Sequence, residues 1–120
     1  MKATLLSLLL LTIAVACHRD KNELDPLVCG VANPTENLPW LKAVIDEYKK
    51  DQDGLMKYKY VLQSTYKGST VFVFGNCCPF CLSMILVRDC EGNRIEVKAG
   101  EGEPTTVIWK PENSTCEPTK

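Results

Sequence analysis

Apolar residues recur along this chain with three different periods, and each period predicts a different element. Leu5 to Ala16 is an unbroken apolar run of about a dozen positions, too short to cross a hydrocarbon core of about 30 Å. Leu41, Val44, Ile45 and Tyr48 stand at i, i+3, i+4 and i+7, so they share one stripe of a helix. Asn37-Leu38-Pro39-Trp40 opens that helix, with Asn37 or Leu38 as cap, because a first turn tolerates proline where its N–H would have no partner. Lys49 and Lys50 suit the negative end of the helix dipole, and Asp51 to Gly54 end the helix. Trp40, beside the stripe, is expected in the core and not as a ligand platform.

From Lys57 the period is two. Tyr58, Tyr60 and Leu62 fall on one face of a strand, and Lys57, Lys59 and Val61 on the other. Lys67-Gly68-Ser69 makes a turn, and Thr70 to Phe74 returns as a second strand that runs into a cysteine-rich corner at Gly75-Asn76. Ser83 to Arg88 is expected as a third strand and Arg94 to Lys98 as a fourth, joined by the loop Asp89-Cys90-Glu91-Gly92-Asn93. Ala99 to Pro104 reads as loop, and Thr105 to Lys110 as a fifth, edge strand. The prediction is an α+β domain: one N-terminal helix packed on an antiparallel sheet of four or five strands in a meander, stapled by disulfides.

The early apolar run ends in Ala14-Val15-Ala16-Cys17 and is preceded by Lys2, the pattern of an export signal. A cysteine just past a cut between small residues resembles a bacterial lipobox, with Ala14 where that pattern usually has Leu, Val or Ile. The resemblance implies that Cys17 is acylated, palmitate included, and becomes the mature N-terminus. The expected organisation is a signal peptide over 1–16, a lipidated cysteine with a charged tether over 17–27, and a single domain over 28–120. The one histidine, His18, lies in the tether, so no Ser-His, Cys-His or His-metal arrangement is expected within the domain.

Charge and cysteine count sharpen this picture. Removing Lys2 with the signal leaves one fewer than the 14 basic residues against 15 acidic ones, a net charge of −2 that offers no basic stripe for nucleic acid. The cysteines number seven; with Cys17 acylated, Cys29, Cys77, Cys78, Cys81, Cys90 and Cys116 remain as disulfide candidates, a density typical of small exported domains. Strand geometry limits the pairing. A strand between Cys81 and Cys90 separates them far beyond disulfide reach, and a vicinal Cys77–Cys78 bond is strained. Following the chain down the helix and along successive strands brings Cys29 and Cys90 to the same end. Cys116 then pairs with one cysteine of the corner, and the other two pair with each other.

Pro39-Trp40-Leu41-Lys42, Tyr66-Lys67-Gly68 followed by Val71-Phe72, Cys77-Cys78, and Asp89-Cys90-Glu91-Gly92-Asn93, in this order, resemble a family of small Bacteroidota lipoprotein domains of unknown function. The resemblance covers about Cys29 to Val97. It implies an exported α+β domain on a lipid anchor and carries no activity with it.

Cys78-Pro79-Phe80-Cys81 is the one motif with chemical potential. A C-x-x-C after an apolar strand is the local setting of a thioredoxin-like dithiol, and Pro104-Thr105 imitates the proline loop of such a site. The segment after Cys81 reads as strand, however, so no helix dipole acts on Cys78, and too few residues follow to complete that fold. Zinc held by Cys77, Cys78, Cys81 and a fourth thiol is disfavoured because there is one knuckle where paired knuckles are usual. Asn113-Ser114-Thr115 fits a glycosylation sequon, which matters only in a eukaryote and is read as coincidence beside the lipobox-like Cys17.

The functional expectation is a non-enzymatic, membrane-anchored envelope lipoprotein, on the outer membrane at its periplasmic or surface face. It would have no metal and no cofactor, and its partners would be the membrane through its anchor and an envelope protein or ligand. The alternatives are an envelope thiol–disulfide protein using Cys78 and Cys81, and a secreted protease-inhibitor-like module.

Overall fold

The computed structural model describes residues 26–82, 84–98, 101 and 105–118. A four-residue helix α1 (Pro34–Asn37) leads directly into the main helix α2 (Pro39–Lys49). Leu38 is the cap of α2, in extended conformation and without a side-chain bond, while Pro39 opens the first turn where no N–H partner is lost. Asn37, the other expected cap, ends α1 and uses its amide to hold the Ala32 carbonyl. Lys42 pairs with Asp46 at 3.0 Å one turn on, and Lys50 with Glu47, both on the exposed side. The opposite side carries Leu41 and Ile45, buried to 0% and 2% exposure.

A single turn of 3-10 helix (Met56–Tyr58) precedes the sheet. Asp51 and Asp53 create it by accepting the N–H groups of Met56 (2.8 Å) and Leu55 (3.0 Å), so the first strand begins two residues later than the alternation predicts. The strands are β1 (Lys59–Tyr66), β2 (Ser69–Asn76), β3 (Leu86–Arg88), β4 (Arg94–Ile95) and β5 (Thr106–Trp109). β1 and β2 pair along their full length, from Lys59 opposite Asn76 to Tyr66 opposite Ser69. Lys67 and Gly68 join them with φ of 50° and 78°, the doubly left-handed turn that matches strand twist.

The sheet is antiparallel with order β4-β3-β2-β1-β5. β1 to β4 form the expected meander. β5 departs from it, crossing to the far edge to pair with β1 through a bulge between Val61 and Leu62. β3 and β4 are shorter than predicted, and Ser83, the expected start of the third strand, lies outside the described residues. The physical reason for the short β3 is the corner before it. The Cys77 N–H bonds the Tyr58 carbonyl at 3.0 Å, Cys77 is bridged to Cys116, and the chain then turns through the Cys78–Cys81 ring before it can run beside β2. The ladder with β3 stops at Phe74 opposite Leu86.

Alternation puts Val61, Phe72, Phe74, Leu86 and Trp109 on the helix-covered face. Leu38, Leu41, Ile45, Val61, Phe72 and Phe74 form the core. Trp40, partly buried, packs edge-on against Phe72 of the core at 5.6 Å and donates its Nε1–H to the Cys90 carbonyl at 2.8 Å. The other face is also covered, which alternation alone did not reveal. Leu62, Ser64 and Val71 are buried there, and Glu96, Val97 and Lys98 border a cleft together with Val73 and Val87. Gly75 admits the Tyr60 ring on that face; a Cβ at Gly75 would stand 2.2 Å from it.

Candidate functional site

Three disulfides define the two ends of the sheet. Cys29–Cys90 ties the segment before the helices to the β3–β4 loop, with Cα atoms 5.5 Å apart. At the opposite end, Cys77–Cys116 and Cys78–Cys81 build a compact corner. Asn76 fixes the entry by accepting the Cys78 N–H at 2.8 Å, and Pro79-Phe80 makes the turn inside the four-residue ring. Cys78 is 8% exposed and Cys116 3% exposed, so the C-terminal segment is part of the packed structure and not a peripheral tail.

This corner presents apolar side chains to solvent. Phe80 is 91% exposed, Leu82 fully exposed, Met84 78% and Ile85 67%. Large apolar residues are found singly on most surfaces, but four exposed within six positions concentrate apolar surface in one segment, as interaction sites do; Leu82 and Met84 border the pocket with Tyr48 and Phe74, and Ile85 borders the one with Val73 and Val87. Beside it is an open cleft of about 320 Å³. Phe74 and Leu86 belong to its sheet wall, Leu82 and Met84 to its rim, and Tyr48 of α2 closes the far side.

The charges around the cleft are unequal. No carboxylate lines it, and Lys59 is its one charged lining residue. The Lys59 ammonium lies 4.9 Å from the centre of the Tyr48 ring and 3.1 Å from Asp53, which neutralises it. Asp53 is held below the usual carboxylate range by the Leu55 N–H first and by Lys59 second. Arg88 lies over the Phe74 ring at 5.7 Å and is directly opposite Arg94 across β3 and β4. Neither arginine forms an ion pair among the described residues. Burial raises the Tyr48 hydroxyl above the ordinary tyrosine value, and the nearby positive charge of Arg88 offsets part of that rise.

The structure distributes the predicted site residues as follows. Cys17 and His18 lie outside the described residues. Cys29 is bonded to Cys90, Cys116 to the corner residue Cys77, and the remaining corner pair Cys78 and Cys81 to each other. No helix begins among the described residues of 82–98, so Cys78 has no helix N-terminus behind it. No group of histidine, cysteine and carboxylate side chains among the described residues is arranged to hold a metal ion. No described helix is long and apolar enough to cross a membrane. The exposed tip and the arginine pair were missed in the sequence. Their signal was Leu82-Ser83-Met84-Ile85-Leu86-Val87, an apolar run too continuous for a half-buried strand.

No protein-family model, curated protein or solved structure matches the chain.

Proposed function

We propose that this protein is a lipid-anchored module of the cell envelope that binds a partner through its disulfide-bonded corner, without catalysing a reaction. The observation that carries the binding reading is that Phe80, Leu82, Met84 and Ile85, all in the segment that follows the corner's first cysteines, stand in solvent when burial would stabilise each of them. The anchor reading is supported by the lipobox-like Ala14-Val15-Ala16-Cys17, the charged residues that follow it, and the resemblance to Bacteroidota lipoprotein domains. Cys29–Cys90 stands at the opposite end of the strands from the tip, so a tether entering at Leu27 leaves the corner free to face away from its own attachment point.

The thiol–disulfide alternative draws less support. Cys78, the cysteine that would act as nucleophile, is buried, and the chain around it supplies no helix dipole to lower a thiol pKa.

Metabolic labelling with an alkyne fatty acid tests the anchor. Wild-type protein is expected to incorporate the label and Cys17→Ser to lose it. Labelling that survives this substitution contradicts the proposal.

A further inference from the structure

The corner carries its exposed apolar side chains on more than one side. Leu82 and Met84 border the cleft with Tyr48 and Phe74 on the helix-covered face, whereas Ile85 borders the cleft with Val73 and Val87 on the other face. Phe80, within the Cys78–Cys81 ring, is 91% exposed. A protein surface meets one side of such a tip, whereas an apolar medium surrounds it. The area is also small. Burying a side chain of this size removes roughly 60–120 Å² of apolar surface, so these residues together supply about 240–480 Å², short of the ~800 Å² that each partner gives to a stable protein interface. No charged residue occurs between Lys67 and Arg88, so nothing in this stretch must be desolvated as an ion. The backbone of the ring is largely satisfied as well. Asn76 accepts the Cys78 N–H, the Cys78 carbonyl accepts the Cys81 N–H, and Pro79 has no N–H to satisfy.

We propose that the corner inserts into the surface of a phospholipid bilayer, with Phe80, Leu82, Met84 and Ile85 immersed at the boundary between head groups and acyl chains. The proposal rests on the reading of the corner as a binding surface, names its partner as lipid, and does not require acylation of Cys17. Apolar faces that lie on membranes sink about 5–10 Å into that boundary, shallow enough to leave the sheet edges in water. The disulfide ring holds Phe80 outward before any lipid is met, so insertion costs little ordering. The rim carries both signs, with Lys57, whose carbonyl accepts the Thr115 N–H, and Glu117, next to Cys116. A zwitterionic head group therefore suits it.

The test is tryptophan fluorescence of the full chain, with its disulfides formed, on phosphatidylcholine vesicles whose acyl chains carry bromine as a short-range quencher. Phe80→Trp puts a reporter at the tip, and Glu47→Trp puts one on the exposed side of α2. The Phe80→Trp variant is expected to show quenching beyond that of the parent's Trp40 and Trp109, and the Glu47→Trp variant none beyond it. Adding Leu82→Ser and Met84→Ser to Phe80→Trp should lower insertion about a hundredfold, about tenfold for each side chain, and abolish the extra quenching. Both serines stand at exposed positions, so the fold is kept. Without vesicles, the same chains are titrated with anilinonaphthalene sulfonate, a dye whose emission rises on exposed apolar surface. Equal quenching of the two reporters, none from either, or extra quenching that survives the serine changes overturns the proposal. A dye response that still falls with the serine changes then leaves an apolar surface for a protein partner. A dye response that they do not move, with no extra quenching, overturns the proposal and the reading beneath it.

Discussion

Removing the Cys29–Cys90 bridge by a double substitution to serine is the most informative perturbation of the fold. The bond closes 61 residues, and the chain-entropy relation gives a loss of about 4 kcal/mol when it is absent. Cys77–Cys116, which closes 39, comes out slightly lower, and Cys78–Cys81, which closes 3, at about 1.5 kcal/mol. The native geometry around the first bridge has other support, since Trp40 still donates to the Cys90 carbonyl. Asp89 still accepts the Glu91 and Asn93 N–H groups at 3.0 and 2.9 Å. The loss therefore falls mainly on the unfolded chain, which becomes freer. For a domain of this size, about 4 kcal/mol lowers the melting temperature by about 15–30 °C. Thermal melts followed by circular dichroism, without reductant, measure it. Alanine should replace the buried Cys78 and Cys116, so that no unpaired hydroxyl is left inside. The expected order of melting temperatures is Cys78/Cys81 variant highest, Cys77/Cys116 variant well below it, and Cys29/Cys90 variant lowest. A Cys29/Cys90 variant within about 5 °C of the parent, or a Cys78/Cys81 variant that melts as low as the others, refutes the reasoning.

Gly75→Val should cost about 1–3 kcal/mol by overpacking against Tyr60, and Tyr60→Ala in the same chain should recover part of it, measured as the coupling in a double-mutant cycle of urea midpoints. The Tyr48 hydroxyl, raised by burial, stays protonated in the folded state while the unfolded chain begins to ionise at the ordinary value of 10.0. Its contribution to stability is thus complete below that pH and lost as pH rises through the folded value, and Tyr48→Phe should flatten this alkaline decline in pH-dependent melts. Redox titration with thiol alkylation should place Cys78–Cys81 below about −300 mV, as for a structural bond; a value above about −230 mV favours an exchange-active dithiol.

Much of the fold was legible because burial imposes period. The stripe Leu41, Val44, Ile45 and Tyr48 has one side to bury, and Leu41 and Ile45 take its centre. Lys67-Gly68 set the first hairpin, and strand direction alone brought Cys29 to Cys90. Less legible were features created by partners distant in sequence. Asp51 and Asp53 wind Met56–Tyr58 through hydrogen bonds that no periodicity records. β5 sits beside β1 and not after β4, and the burial of Leu62, Ser64 and Val71 on the second face is not recorded by a one-helix reading. At the site, the cysteines were visible, but the meaning of the residues after Cys81 was not. Apolar composition reads as strand, but the chain turns through the Cys78–Cys81 ring and joins the ladder with β2 only at Leu86.

The central claim is that the corner meets a partner in the envelope. Photocrosslinking in intact cells addresses it most directly, with a benzophenone side chain replacing Leu82 at the tip or Glu47 on the exposed side of α2. A discrete adduct from position 82, absent from position 47 and lost when Met84→Ser and Ile85→Ser are added, is the predicted result. No adduct from position 82, or the same adducts from both positions, would contradict it.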